Sequence, residues 1–434
     1  MKIRYGIILA ASLCLVLLGE TGMLRAKGAG YWGRERAEVL NSNLSQSPIV
    51  TPHVPNEVNP KLIAAYTKFS FKLFSQIQKK QPDENIFISP ASIAIALAIT
   101  YNGASGKTQE AIAQTLELQG IAIQELNQAN AALKDTLTNA DSQVELSIAN
   151  SFWGKDSQPF KSEFIQKIQK FYGVELKNAD FTDARTISSI NGWVKQSTNG
   201  NIDKIVDGIE PDTVFMLFNA IYFFGNWTYP FPKQATQARL FTLLDGTQKA
   251  HPLMFRQLYQ AKYYENETFQ AVSLPYGEKR LSLYVFLPKK GINMKKFYET
   301  LNPETWEVWI NNINAEQNYE EQIPLLIGMP RLKLEYEIDL EDVLKNMGME
   351  MAFRKDADFS AMANPPLWIS FIKHKTFVEV NEEGTKASAV TTVGSTRGGA
   401  VTMIVDRPFF CAIRDERTGA ILFMGSIVDP MSAN

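Results

Sequence analysis

Three stretches of the 434-residue chain carry side chains that could do chemistry. Gly106-Lys107-Thr108 reproduces the tail of a phosphate-cradling loop, in which backbone N–H groups and the lysine hold a nucleotide's phosphates. That loop needs a glycine at the position where Tyr101 stands. It must also follow a strand, and here it follows a helical run, so nucleotide binding is not supported. The second stretch type is the histidines, of which there are three: His53, His251 and His374. No HExxH, no His or Cys cluster and no GxSxG accompanies them, so neither a zinc centre nor a hydrolase elbow is expected. Acidic neighbours such as Glu382-Glu383 are ordinary on solvated surfaces. We expect no metal, no cofactor and no catalysis.

The third stretch is "EEGTKASAVTTVGSTRGGA", residues 382–400. It contains no Pro and little charge, with Arg397 as its large side chain, and it separates "HKTFVEV" from "AVTMIV", both of which read as buried strands. Loops beyond about 12–15 residues are uncommon in compact domains and are usually functional or disordered. Strand side chains alternate faces. From Thr385, one set reads Thr385, Ala387, Ala389, Thr391, Val393, Ser395, wholly small or β-branched and fit for burial. The other reads Lys386, Ser388, Val390, Thr392, Gly394, and it alone carries the charge of Lys386. The first set would tolerate burial better than the second, because buried charge is costly.

The elements around the strap are those of a soluble protein. Hydrophobic residues make up 45%, charged residues 21%, and the net charge is −2, which gives no reason to expect nucleic acid or an anionic membrane as partner. Lys2 and Arg4 precede an apolar run over residues 6–19, too short to span a bilayer comfortably. Residues 1–24 therefore read as a secretory signal. An N-terminal anchor is the alternative, since no clean small-x-small cleavage site follows. Export places the protein outside the cell or in a periplasm. Cys14 lies in that segment behind bulky Leu13, which argues against lipidation, and the mature chain keeps only Cys411. No internal disulfide can form. Residues 25–56 are polar and contain Pro48, Pro52 and Pro55, a flexible linker.

Residues 57–434 read as one large domain, since no linker interrupts them. A helical stripe runs through Leu62, Tyr66, Phe69, Leu73 and Ile77. A short strand and then a helix apolar nearly all round fill residues 85–104, and such a helix must be buried. "VFMLFNAIYFFGNW" is a strand apolar on both faces and so covered on both. "QAVSLPYG" and "LSLYVFLPKK" pair as a hairpin, and the chain closes on two apolar strands joined at residues 415–419. Helices dominate the first third and strands the last, so the class is α+β.

With these pieces placed, the chain resembles the serpins over about residues 60–430. The matching stretches are "NIFISPASIAIALAITYNGASGKTQEAI", "VFMLFNAIYFFGNWTYPF", "HKTFVEVNEEGTKASAV" and "DRPFFCAIRDERTGAILFMGSIVDP", in the family's order. The resemblance implies three β-sheets, about nine helices and an exposed reactive-centre loop, which would be residues 382–400. A target protease cleaves that loop and becomes acylated; the freed half inserts into the main sheet and traps the enzyme. Adding a central strand of about ten residues makes ladder bonds on both sides, each worth roughly 1 kcal/mol net.

Carried over by motif, the hinge is Glu382, Glu383, Gly384, Thr385, Lys386, Ala387, Ser388, Ala389 and Val390. Lys386 stands where inhibitory members usually carry an acid, and its outward direction makes it tolerable. Counting from the hinge glycine puts the cut after Gly398, whereas counting back from Pro408-Phe409 puts it after Arg397. Arg397–Gly398 is the better choice, because Arg fits the acid-lined pocket of a trypsin-like protease. Gly398–Gly399 is the runner-up. Ser89, Ser92, Asn219 and His374 correspond to the polar cluster beneath the opening region, and Trp227 to the aromatic beside the loop's point of insertion. The stretch 123–141 is not basic, so heparin-type activation is not expected. The expected activity is inhibition of trypsin-like serine proteases by a monomer. A non-inhibitory carrier protein and an inhibitor of cysteine proteases are the alternatives.

Overall fold

The first described helix opens on a well-formed cap. Asn59 accepts a hydrogen bond from the Lys61 amide at 2.9 Å and Pro60 occupies the first turn, where its missing N–H costs nothing. The structure, a computed structural model, describes residues 58–315, 324–364, 366–383 and 401–430. The described residues fall in one compact unit. The signal or anchor (1–24), the linker (25–56) and the strap from Gly384 to Ala400 lie outside the described residues.

The helix-rich half contains α1 (Pro60–Lys80), β1 (Ile86–Ile88), α2 (Pro90–Gly103), α3 (Gly106–Thr115), α4 (Ile123–Thr138) and β2 (Val144–Lys155). It continues with α5 (Ser162–Tyr172), β3 (Leu176–Ala179), α6 (Ala184–Ser197) and β4 (Phe215–Gly225). Then come β5 (Gln237–Thr242), β6 (Gln248–Leu258), β7 (Lys262–Glu265), β8 (Phe269–Pro275), β9 (Leu281–Pro288), α7 (Met294–Thr300) and α8 (Pro303–Asn314). The last part holds β10 (Leu325–Pro330), β11 (Leu332–Asp339), α9 (Glu341–Leu344), β12 (Ile369–Val380), β13 (Val401–Ile404), β14 (Phe409–Asp415) and β15 (Ile421–Ile427).

Among the described residues the fifteen strands form three sheets. Six strands run in the order β1-β15-β14-β9-β8-β7, four in the order β13-β10-β6-β5, and five in the order β11-β12-β4-β2-β3. The five-stranded sheet matters for function. Its β11–β12 and β4–β2 pairs are antiparallel, whereas the central β12–β4 pair is parallel, His374 lying opposite Asn219 and Val378 opposite Phe223.

Both faces of this sheet are covered, as the two-sided apolar pattern of β4 requires. Behind it lies the main core, including α2, whose residues are all buried except Tyr101. In front, α6 and the segment after it close a second core of Trp153, Ile190, Val194, Ile205, Phe218 and Tyr222. Asn191 of α6 fixes that segment, its Oδ1 accepting from the Ile205 and Val206 amides at 2.9 and 3.1 Å and its Nδ2 donating to the Val206 carbonyl.

Two local expectations need correction, and one element is new. Of "AVTMIV", the strand Val401–Ile404 is partly exposed rather than buried, because among the described residues β13 pairs only with β10, at a sheet edge. The stretch "PLLIGMPRLKLEYEIDLEDVLKNMGM", which reads as one strand passing into a helix near Asp339, is instead two strands in two different sheets, broken at Arg331, before that helix. The β5–β6 hairpin, turning at Asp245-Gly246, was not anticipated.

Candidate functional site

The strap leaves from the end of β12, and the structure shows how that departure is held. Glu382 is 3% exposed, not part of a solvated acidic pair. The correction has a clear cause: its carboxylate accepts from the Arg331 Nε at 2.8 and 2.9 Å and from the Thr236 hydroxyl, and its carbonyl accepts from the Phe231 amide at 2.8 Å. Burial pushes the Glu382 carboxyl up, but these charge-assisted bonds outweigh it and hold the group below its ordinary value. Glu383 pairs with Lys233 in a more exposed setting. Trp227 donates its indole N–H to the Asn381 carbonyl at 2.8 Å and stacks on Tyr276 at 4.3 Å between ring centres. The aromatic plate and the Arg331 clamp thus grip successive residues, 381 and 382, at the mouth of the β12–β4 seam.

Removing the clamp should be measurable. Glu382→Ala strips Arg331 of its partner and exposes the strap's root. Breaking a fully buried pair costs about 3–5 kcal/mol, but Arg331 is nearly half exposed, so about 2 kcal/mol is expected. A lower urea midpoint for the first unfolding transition checks it, and an unchanged midpoint contradicts the clamp.

Midway down the seam lies a polar cluster on residues that are otherwise deep core. Ser89, Ser92, Asn219 and His374 are all fully buried. His374 Nε2 accepts from the Ser89 amide at 3.1 Å, which leaves Nδ1 as the protonated nitrogen, donating to Asn219 Oδ1 at 2.6 Å. Asn219 Nδ2 donates to the Ser92 hydroxyl and to Asn150 Oδ1 at 2.5 and 2.6 Å. Asn219 therefore ties β4 to both neighbours in the sheet and to the start of α2. Both imidazole nitrogens are spoken for in the neutral form, and burial pushes the His374 pKa down to about 3. Thr376, two residues on, donates to the Phe87 carbonyl at 2.6 Å.

Sequence reasoning missed several contributors. Arg331 and Thr236 hold Glu382, and the buried His251 in turn binds the Arg331 carbonyl at 2.8 Å. Lys375, almost buried, donates to the Lys204 carbonyl at 2.7 Å and pairs with Glu335 at 2.7 Å, pinning the segment over the front face to β12. None of these stands in a local pattern that marks it. The hinge residues Gly384, Thr385, Lys386, Ala387, Ser388, Ala389 and Val390 and the scissile candidates Arg397, Gly398 and Gly399 lie outside the described residues. Elsewhere, Cys411 is buried and its thiol is pushed up to about 12, so it offers no reactive thiolate. No group of metal-binding side chains exists among the described residues, nor any helix long and apolar enough to cross a membrane.

A chain turning back at Glu382 must run antiparallel to β12. The far side of β12 is already taken by β11, so the room that remains for such a strand is between β12 and β4. There it would lie antiparallel to both, replacing one parallel ladder by two antiparallel ones. The central parallel β12–β4 pair is thus the position in this sheet that a strand returning antiparallel to β12 would occupy.

The family model for "Serpin (serine protease inhibitor)" matches residues 64–430. The chain belongs to the serpin family. A serpin-like protein of Methanosarcina mazei is 34% identical over 86% of this chain and 88% of its own length. Serpin B6 of Pongo abelii is also 34% identical, over 85% of this chain and 99% of its own. The crystal structure of the thermophilic serpin tengpin in its native state superposes with a TM-score of 0.77 at 33% identity, covering 86% of this chain and 95% of that one. The α+β serpin fold, with three sheets and nine α-helices among the described residues, is thereby established. Serpins are mostly protease inhibitors, not enzymes.

Proposed function

We propose that this serpin is an exported, monomeric suicide-substrate inhibitor of trypsin-like serine endopeptidases, cut at Arg397–Gly398. The observation that carries the reading is the parallel β12–β4 seam, closed by His374 and Asn219, with the small-residue strap issuing from the end of β12. On cleavage the acyl bond to Arg397 is already made, the strap is free at one end, and the inserted strand drags the acylated protease from the mouth of the seam toward the sheet's far end. A strand of about twelve residues spans roughly 40 Å, a distance comparable with the diameter of the protease itself. The stored free energy is the difference between one ladder and two, on the order of 10 kcal/mol.

Equimolar mixing with trypsin is expected to give a denaturant-resistant complex, and the released C-terminal peptide should begin at Gly398. A peptide beginning at Gly399 would move the cut to the neighbouring bond. Arg397→Ala should abolish the trypsin complex while leaving the fold intact. Cleaved strap with fully active trypsin rejects inhibition. A non-inhibitory carrier serpin would show no rise in thermal midpoint after strap cleavage, and an inhibitor of cysteine proteases would trap papain instead.

A further inference from the structure

Asparagine is chemically labile, and most of all before glycine, whose backbone nitrogen can reach the side-chain carbonyl with no Cβ in its way. The chain has three such pairs: Asn102-Gly103, Asn191-Gly192 and Asn199-Gly200. The fold treats them differently. Asn102 is buried and exchanges side-chain hydrogen bonds with Asn127 at 2.7 and 2.8 Å, and a Cβ on Gly103 would collide with Met362. Asn191 lies inside α6, its side chain committed to residues 205 and 206. Asn199 lies two residues past the end of α6 and is exposed. It adopts a left-handed backbone (φ 51°), and Gly200 does the same (φ 81°). A Cβ at Gly200 would meet nothing within 4 Å, so the space around this pair is open. The Gly200 N–H donates to the Lys195 carbonyl at 2.8 Å, but that bond belongs to a helix end, where local opening costs little.

We propose that Asn199 is a site of spontaneous deamidation, and that its conversion unlatches the end of α6 from β2 as the protein ages. The Gly200 nitrogen loses its proton and bonds to the Asn199 side-chain carbonyl carbon. The bond to Nδ2 breaks, and ammonia leaves a cyclic imide. Water then opens the imide at either carbonyl, giving aspartate or the isomer whose main chain runs through the former side chain. The step needs water alone and no protease, so it stands apart from the inhibitory reading. What it changes is a contact. Asn199 Nδ2 donates to Glu145 on β2, and beside it the Ser147 hydroxyl donates to the Ser197 carbonyl at 2.6 Å. These two bonds hold the end of α6 to the sheet whose front core it covers. After conversion the donor to Glu145 is gone, and two carboxylates face each other. Lys195, one turn back, does not neutralise the new charge, since it pairs with Asp203 at 2.8 Å. The isomer also lengthens the backbone within a left-handed turn that only the original spacing fits.

The full chain is incubated in warm, mildly alkaline buffer and mapped by peptide mass spectrometry. In the folded protein Asn199 should convert at least about tenfold faster than Asn102 or Asn191, because interior positions open far more rarely than a helix end. In the chain unfolded by urea, all three pairs should convert at similar rates. Equal conversion of the three pairs in the folded protein, or an Asn199 that outlasts either of the others, overturns the site. The unlatching is read by hydrogen exchange over residues 198–206. Asn199→Asp, which carries the charge from the start, should exchange there about fivefold faster than Asn199→Gln, the scale of one exposed charge contact. Aged wild-type protein should move toward the Asn199→Asp rate, while Asn199→Gln should hold its own rate through the same incubation. Exchange that is the same in Asn199→Asp, Asn199→Gln and aged protein shows that the converted residue holds α6 as well as the original, and overturns the latch.

Discussion

Thr385→Arg is expected to turn the proposed inhibitor of trypsin into a substrate, cleaved at an ordinary rate with less than about a tenth of the encounters ending in a stable complex. The reason lies in the face the inserted strand must present. Behind the seam stand His374, Thr376 and Val378 on β12 and Asn219, Ile221 and Phe223 on β4, all essentially without solvent exposure. A strand entering between them places every second side chain in that layer. The set beginning at Thr385 is wholly small or β-branched. Substituting the first member by Arg forces a guanidinium into a layer of fully buried side chains, at a cost of several kcal/mol. Insertion and deacylation compete kinetically, and each 1.4 kcal/mol added to the insertion barrier slows it about tenfold. Hydrolysis then wins. The control is Lys386→Arg, on the alternate face, which should leave the complex yield unchanged. If Thr385→Arg still traps trypsin stoichiometrically, insertion past that position is not part of the mechanism. The cleaved variant should also lack the rise in thermal midpoint expected of the cleaved wild-type protein.

Why the burial of α2 and β4 could be read from sequence, and the clamp could not, follows from where the information lies. The all-apolar α2 and the doubly apolar β4 declare their burial in consecutive residues, because a fully covered element leaves no polar face. The strap's alternation is likewise local. The partner of Glu382 is not: Arg331 lies 51 residues away at the break between β10 and β11, and no spacing rule joins an acid at one strand's end to a base at another's beginning. The same holds for Lys375, whose neighbours Glu335 and Glu337 come from the antiparallel partner strand and whose other contact is a backbone carbonyl. The β5–β6 hairpin escaped for a different reason. The first four residues of β5 are exposed, so the strand shows no buried alternation, and only the Asp245-Gly246 turn signals it. His374 was legible as a residue of the cluster through the family resemblance. Its neutral tautomer, fixed by Ser89 and Asn219, was legible only in the structure.

That tautomer makes acid the second lever on the seam. Lowering the pH from 7 toward 4 should speed opening of the sheet, because His374 binds no proton while closed in the sheet until about pH 3, whereas in an opened or unfolded chain it binds one near its ordinary value of about 6.5. The folded pKa is depressed, so between those values the open form holds more protons than the closed one. The stabilisation from keeping the ring neutral is complete above about pH 6.5 and is lost progressively as the pH falls toward about 3, to a limit on the order of 5 kcal/mol. The geometry gives the same answer: a proton on Nε2 would face the Ser89 amide hydrogen, with no acceptor there to receive it. His251 is also depressed by burial and adds in the same direction, which makes it the necessary comparison. His374→Gln should unfold faster than the wild-type protein at pH 7 in mild guanidinium, having lost the fitted ring, yet show a much flatter acceleration between pH 6.5 and 4. His251→Gln should keep most of the wild-type slope. Equal slopes for wild type and His374→Gln would place the acid sensitivity elsewhere. In that case the neutral imidazole seals the seam through its shape and hydrogen bonds, with no titration involved.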